Sequence, residues 1–302
     1  MGGLKEVRNR IASTKSTRQI TSAMKMVAAS KLRRAQNAII SLRPYAAKLT
    51  EIMQNLSASM DGSDEGVYAA DRGEEKILIV AISSNRGLCG GFNINVVKET
   101  AGLIQKRFES QYKKGNVTIV AIGKKGGDLL KSRGYEPIRI EKDIFDNLTF
   151  ENTVPLAEKI MEEFENKAYD KVFLIYNQFK NAAVQILRTE QFLPVAENQE
   201  PKDEGKQKAA HDTQIQADFI FEPGKAEILE ALVPKAIKLS LYKALIDSFA
   251  AEHGARMTAM HKATDNADEL IKQLNLTYNK ARQAAITNEI LEIVSGAEAL
   301  KG

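Results

Sequence analysis

Residues 255–300 read ARMTAMHKATDNADELIKQLNLTYNKARQAAITNEILEIVSGAEAL, and this stretch decides the fold. With Met257 as heptad position a, apolar or small side chains fill most a and d positions as far as Ala285. These positions are Met257, Met260, Thr264, Ala267, Ile271, Leu274, Tyr278, Ala281 and Ala285. A 3.5-residue apolar repeat of this length predicts a long helix that pairs with a second helix in a coiled coil.

The last turns of the same stretch abandon this repeat. Position d becomes Asn288 and Ser295, and position a becomes Glu292. The large apolar residues now lie on the other side of the helix; they are Ile286, Ile290, Ile293 and Val294, which we call the apolar tip. Little chain follows to cover this second face, so we expect another molecule to cover it.

A partner heptad begins at Leu4 and continues to Leu56, without Gly or Pro over residues 4–43. At 1.5 Å per residue this helix would be about 80 Å long. Pro44 lacks an amide hydrogen, so we expect a kink or a local repair there. Because the heptads occupy both ends of the chain, we expect an antiparallel pair, with roughly 10–20 residues of the longer C-terminal helix protruding alone.

Four consecutive seam positions of the first helix are polar: Thr14, Arg18, Thr21 and Lys25. Such a patch does not pack dryly against a partner helix without hydrogen-bonding partners. We expect either that the helices part here or that the patch faces another protein.

The middle of the chain alternates short apolar runs with helical patterns. The predicted strands cover residues 76–82, 117–122, 138–140, 171–176 and 183–192, the last antiparallel to its predecessor across residues 179–181. The predicted helices cover residues 94–113, 128–132 and 153–166, with Pro155 in a first turn. The fold class is therefore α/β with a long antiparallel coiled coil, around a small, mainly parallel, Rossmann-like sheet.

The predicted domains are an N-terminal coiled-coil helix (1–60), an α/β foot (75–220) and a C-terminal coiled-coil helix (221–302). Residues 197–214 are charged and lack periodicity, so we expect a mobile surface loop. Gly254 interrupts the last helix at a cost of about 1 kcal/mol in helix propensity and is expected to mark a flexure point.

Composition excludes several classes of protein. Among 302 residues, 43% are apolar and 27% charged, and no apolar run is long enough to span a bilayer. The heptad starts almost at Met1, so we expect no signal or transit peptide. The single cysteine, Cys89, excludes an internal disulfide and fits a reducing compartment.

No catalytic, cofactor or metal site is expected. The glycines of residues 87–91 follow a strand and precede a helix, but they lack the GxGxxG spacing, which favours a tight turn with positive φ over a nucleotide site. Cys89 has no nearby histidine to activate it, so we expect it to be buried. His211, His253 and His261 show no metal-ligand spacing.

The first helix is strongly basic. Residues 1–59 hold eleven Lys and Arg against two acids, Glu6 and Glu51. The charges wrap the helix, and no aromatic residue precedes Tyr45, so nucleic-acid binding is not expected. Two interpretations stay open: a solvated helix, or a basic collar against an acidic partner.

Three segments resemble one known family. RNRIASTKSTRQITSAMKMVAASKLRRAQ at residues 8–36, SSNRGLCGGFN at 83–93 and the opening stretch at 255–300 are similar to the gamma subunit of F-type ATP synthases. The resemblance implies a non-catalytic rotor shaft that couples proton flow through the membrane sector to ATP synthesis or hydrolysis on the alpha/beta hexamer, and that regulates ATPase activity. It implies alpha, beta and epsilon subunits and a membrane c-ring as partners, with nucleotides bound on those partners and no small-molecule substrate of its own. It also implies a peripheral place at the cytoplasmic face of a bacterial inner membrane.

By motif match, the resemblance implies six coupling contacts with the beta subunits. They are Met24, Lys25, Arg256, Arg282, Gln283 and Thr287. An acidic loop of beta is expected opposite the basic collar. The alternative to this function is a free-standing coiled-coil adaptor or nucleic-acid-binding protein with an α/β head.

Overall fold

The computed structural model of the chain describes residues 2–58, 68, 70–195 and 224–299. Two long helices, α1 (Gly2–Ala58) and α6 (Lys225–Ala299), precede and follow a segment of alternating strands and helices. At 1.5 Å per residue they are about 85 Å and 110 Å long. Pro44 lies inside α1 and Pro234 inside α6, and each helix continues past its proline.

The segment between the two helices forms a five-stranded sheet with helices on both faces. Its elements are β1 (Ile77–Ile82), α2 (Phe92–Arg107), α3 (Glu109–Lys113), β2 (Val117–Ile122), α4 (Lys124–Lys131), β3 (Arg139–Glu141), a 3-10 turn (Asp143–Phe145), α5 (Phe150–Glu165), β4 (Lys171–Phe179) and β5 (Gln185–Leu193). The strand order is β3-β2-β1-β4-β5, with β5 antiparallel and the other pairings parallel. We call residues 70–195 the head; they contain the described part of the domain predicted above as the α/β foot. The predicted fold class is confirmed.

β1 shows why this sequence forms a central strand. All six of its residues are buried, because alternate side chains enter cores on opposite faces of the sheet. Leu78, Val80 and Ile82 pack with α5 and the first third of α6. Ile77 and Ile79 pack with α2 and α4. The N-terminal part of α6 is therefore built into the head, and its C-terminal part extends away from the head.

Two predicted helices differ from the structure in their bounds. The helix expected to continue to residue 113 breaks at Phe108, whose fully buried ring separates α2 from α3. α4 begins at Lys124 instead of residue 128, because Gly126 and Gly127 serve close packing here and do not break the helix. A Cβ on Gly126 would lie 2.2 Å from Ser83 Oγ, and one on Gly127 would lie 2.7 Å from Ile140 Cδ1.

α5 and the β4–β5 hairpin also differ from their predicted bounds. Thr149 caps α5, its hydroxyl accepting a hydrogen bond from the amide of Asn152, so the helix starts before residue 153. Pro155 consequently lies in the second turn, where we had expected it in the first. β4 continues through Phe179, and the turn occupies residues 180–184.

Above the head, α1 and α6 form the predicted antiparallel pair, which we call the rod. Arg8 contacts Tyr278, and Arg18 contacts Asp268, which fixes the register of the two helices. The same register places Gly2 opposite position 284. Residues 286–299 are all exposed, so this end of α6 protrudes alone, as expected.

Several expectations lie outside the described residues. They include the loop at 197–214, His211 and the proposed domain boundaries at 60, 220 and 221.

Candidate functional site

The polar stretch of the seam is paired between the two helices. Thr21 and Thr264 share a hydrogen bond of 2.9 Å between their hydroxyls, and Arg18 Nε lies 2.5 Å from a carboxylate oxygen of Asp268. Lys25 Nζ lies 3.4 Å from His261 Nδ1. The helices therefore do not part here, because Arg18, Thr21 and Lys25 have partners on α6. That the patch also faces another protein stays a prediction. The sequence signal for this pairing was the presence of two polar residues on α6, Thr264 and Asp268, which lie opposite the patch in the observed register.

Met24 and Lys25 lie on α1 at this level; both are half-buried, and Lys25 lies beside His261 of α6. Their outer neighbours are apolar and exposed: Ile20, Met26 and Val27. Sequence reasoning missed these three residues because it followed only the inner seam of the heptad. Their signal was a large apolar side chain at outward heptad positions of a basic helix.

Arg256 differs from the other expected coupling residues because its side chain is buried, with 8% exposure. Its Nη1 donates to Glu252 Oε1 at 2.5 Å and lies 3.3 Å from His253 Nδ1. Its Nη2 donates to the backbone oxygens of Arg86 and Gly87 at 3.1 and 3.3 Å. All of these bonds join Arg256 to its own chain.

Burial, and secondly the charge of Arg256, shift the pKa values of two neighbouring residues. Burial raises the pKa of Glu252, and the guanidinium of Arg256 acts in the opposite direction. Burial, together with the positive charges of Arg256 and Lys31, lowers the pKa of His253 to about 3. His253 is therefore neutral near pH 7, and its Nδ1 accepts from Arg256.

Arg282, Gln283 and Thr287 lie near the protruding end of α6, and all three are exposed. The hydroxyl of Thr287 donates to the backbone oxygen of Gln283 at 2.9 Å. At 1.5 Å per residue, Arg282 is about 39 Å along the helix from Arg256. The expected coupling residues therefore lie at different positions along the length of the rod.

The apolar tip is exposed along its whole length. Ile286, Ile290, Ile293 and Val294 expose between 48% and 70% of their surface. Leu291, at 57%, adjoins them and was not named from the sequence. Ala285 is the last half-buried residue of α6, so the change of apolar face coincides with the end of α1.

The loop of residues 83–91 is a tight turn, as predicted. Gly90 has a φ of 60°, and Leu88, unexpectedly for a residue with a side chain, has a φ of 62°. Cys89 is buried beneath the turn, and burial raises the pKa of its thiol. Within the described residues, no group of three or more His, Cys, Asp or Glu is arranged to hold a metal ion.

The comparisons with known proteins agree with this geometry. A family model described as ATP synthase matches residues 3–300. The ATP synthase gamma chain of Flavobacterium johnsoniae is 58% identical over 302 residues, covering all of both chains. That of Chlorobaculum tepidum is 42% identical over 301 residues, again covering all of both chains.

Solved structures show the same fold. The central stalk of the Tetrahymena thermophila mitochondrial ATP synthase, solved with its c-ring, is 25% identical with a TM-score of 0.56, covering 81% of this chain and 99% of that one. The rotor of the Euglena gracilis enzyme, at 23% identity, has a TM-score of 0.65 and covers 94% and 99%. On the full-length matches to curated relatives, the chain belongs to the ATP synthase gamma chain family.

Proposed function

We propose that this chain is the central rotor shaft of an ATP synthase, a non-catalytic subunit whose rotation couples proton flow to ATP synthesis or hydrolysis. The chain belongs to the gamma chain family, and one observation is the main support for its role as a rotor shaft. The rod ends in a single helix whose apolar face has no covering partner among the described residues. A helix end of this kind is stabilised when another protein surrounds it.

The head and the rod have different partners in this proposal. The head rests on the c-ring beside an epsilon subunit; the Tetrahymena central stalk, which was solved together with a c-ring, supports the first of these contacts. The rod turns inside three alpha and three beta subunits. Each angle of the rod favours one beta conformation by the difference in contact free energy between conformations, about 1.4 kcal/mol for each tenfold change in population.

The contacts divide by their chemistry. Apolar burial is non-directional, so the apolar tip suits a bearing that slides past three equivalent positions. Hydrogen bonds hold only at particular angles, so the exposed Arg282, Gln283 and Thr287 suit the positions at which the rotor pauses. Met24 and Lys25 suit contact with an acidic loop of beta. The exposed Ile20 and Val27 add apolar area at the same level.

The basic residues of α1 support an acidic partner. Of its described charges, Arg18 is paired with Asp268 and Arg8 donates to Tyr278, whereas Lys15, Arg33 and Arg34 are exposed on the rod. We propose that these charges face acidic loops of the beta subunits.

The place of the chain in the cell follows from its partners. No helix within the described ranges is long and apolar enough to cross a membrane. We propose that the chain lies at the cytoplasmic face of a bacterial inner membrane, peripheral to it and held there by the c-ring.

Native mass spectrometry of the complex purified from its own cells tests the proposal. We expect one copy of this chain for each three alpha and three beta subunits. A matched variant that ends at residue 285 removes the apolar tip and leaves the paired rod, and it should dissociate from the alpha and beta subunits more readily. A chain found only as a free monomer or homodimer would contradict the proposal.

A further inference from the structure

We propose that residues 252–258 of α6 form a torsional lock, which fixes the angle at which the rod leaves the head, with Arg256 as its positioning residue. This inference rests on the proposed rotor function. It assigns Arg256 a role inside the chain, where the family resemblance implied a contact with a beta subunit.

The first half of the lock is the grip of Arg256 on the loop after β1. Its guanidinium spans Glu252, one turn back on α6, and the backbone oxygens of Arg86 and Gly87. The next residue, Leu88, has a φ of 62°, a conformation that costs free energy for a residue with a Cβ. Beneath the loop, Cys89 and Phe92 pack against Ala251 of α6. The loop is thus held against the helix by both polar and apolar contacts.

The second half is the grip of α6 on the β4–β5 turn. Gly254 lets this turn approach the helix, since a Cβ there would lie 3.2 Å from Ala182 Cα and 3.3 Å from its backbone oxygen. One turn further, the hydroxyl of Thr258 donates to the same backbone oxygen at 3.0 Å. The side chains of Phe179 and Ala182 pack beside Ala250. Gly254 is therefore a close-packing position, which the sequence alone had not indicated.

These two grips occupy the level at which the rod separates from the head. The two loops follow β1 and β4, neighbouring parallel strands that end at the same edge of the sheet. Thr258 is the last residue of α6 for which the described part of the chain shows a bond to the head. Torque that passes between head and rod must cross this level, because among the described residues only α1 accompanies α6 beyond it.

The chemistry of Arg256 fits a lock better than an ordinary core residue would. Its planar fork bonds several acceptors in fixed directions, and these bonds weaken when the helix rotates relative to the loop. Lysine at this position keeps the charge but has no fixed fork. Arg256→Lys therefore separates the lock from the simple need for a positive charge beside Glu252.

The test uses the assembled complex, with the alpha and beta subunits fixed to a surface and a bead attached to the head. The variants are Arg256→Ala, Arg256→Lys and Thr258→Val, and Arg133→Ala is the control because Arg133 is exposed on the head. In stalled complexes, we expect the angular variance of the bead to rise at least twofold in both Arg256 variants. We also expect amides of residues 84–91 to exchange hydrogen at least tenfold faster.

The outcomes separate the lock from the rotor function. If Arg256→Lys complexes rotate but, when stalled, show the same angular variance of the bead as the control, the lock alone is overturned. Faster hydrogen exchange in the loop without greater angular variance would also overturn it. If Arg256→Ala does not assemble, Arg256→Lys and Thr258→Val decide by the same two measurements. A bead that never rotates on the unaltered complex would instead contradict the proposed function.

Discussion

Truncation of Ile290 to alanine tests whether the apolar tip is a bearing. The side chain is 55% exposed in the chain alone, so about half of its surface is left for a partner to bury. The substitution removes three carbons, each worth about 0.8 kcal/mol when fully buried. Scaled by the exposed fraction, the loss is about 1.3 kcal/mol in the complex, and an unfilled cavity in a tight partner would raise it toward about 2 kcal/mol.

The assay is the thermal stability of the complex between this chain and the alpha and beta subunits. Ile138→Ala is the matched control, because Ile138 is 64% exposed but lies on the head. We expect Ile290→Ala to lower the melting temperature and Ile138→Ala to leave it nearly unchanged. Equal shifts in both variants would refute the bearing.

The complete ATP synthase in membrane vesicles, which keeps the c-ring that proton pumping requires, distinguishes bearing from angular contact. Arg282 is exposed, and a hydrogen bond made by it holds only at particular angles. Arg282→Ala should therefore leave the melting temperature nearly intact and change the number of protons pumped for each ATP hydrolysed. If Ile290→Ala and Arg282→Ala shift stability and pumping in the same proportion, this division of roles is wrong.

Three further predictions concern single residues. Burial raises the pKa of Asp247 to about 6 from its usual 3.8, with Lys243 and Arg43 acting against this shift, so ionisation costs the fold about 3 kcal/mol above pH 6. Unfolding measured at several pH values should show this stability lost as pH rises from about 4 to 6, with Asp247→Asn removing the loss; a variant that follows the unaltered chain at every pH would contradict it. Gly254→Ala should lower the melting temperature by the equivalent of about 1 kcal/mol, because crowding against the backbone of Ala182 costs about 2 kcal/mol and the gain in helix propensity is about 1 kcal/mol; a rise would show that the β4–β5 turn yields. Lys25→Glu should reduce proton pumping more than Lys48→Glu if an acidic loop faces the upper rod, and equal, negligible effects would favour a solvated helix.

Much of the fold follows from local patterns. The continuous apolar run at β1 and the heptads of α1 and α6 identify a doubly covered strand and a paired rod without tertiary information. Bounds fail where a contact between elements overrides a local signal. The two glycines of α4 look like helix breakers in the sequence, yet they lie where Ser83 and Ile140 leave no room for a Cβ.

The candidate site shows a sharper limit. The heptad predicts that Thr21 and Lys25 lie in the seam. Their partners on α6 could not be predicted, because they depend on a register that joins residues more than 230 apart in the chain. The burial of Arg256 depends on a loop 169 and 170 residues before it. A motif match identifies such a residue as important and gives no indication of whether it faces a partner or its own chain.

The change of apolar face along α6 carries information about its partners. Up to Ala285 the buried side of the helix follows the heptad, because α1 covers that side. From Ile286 onward the large apolar residues lie on the other side, and the register places this change at the end of α1. A helix end that only projects into solvent would not need large apolar residues on a new face. Their phase therefore indicates a second partner, one that approaches from the side that α1 leaves open.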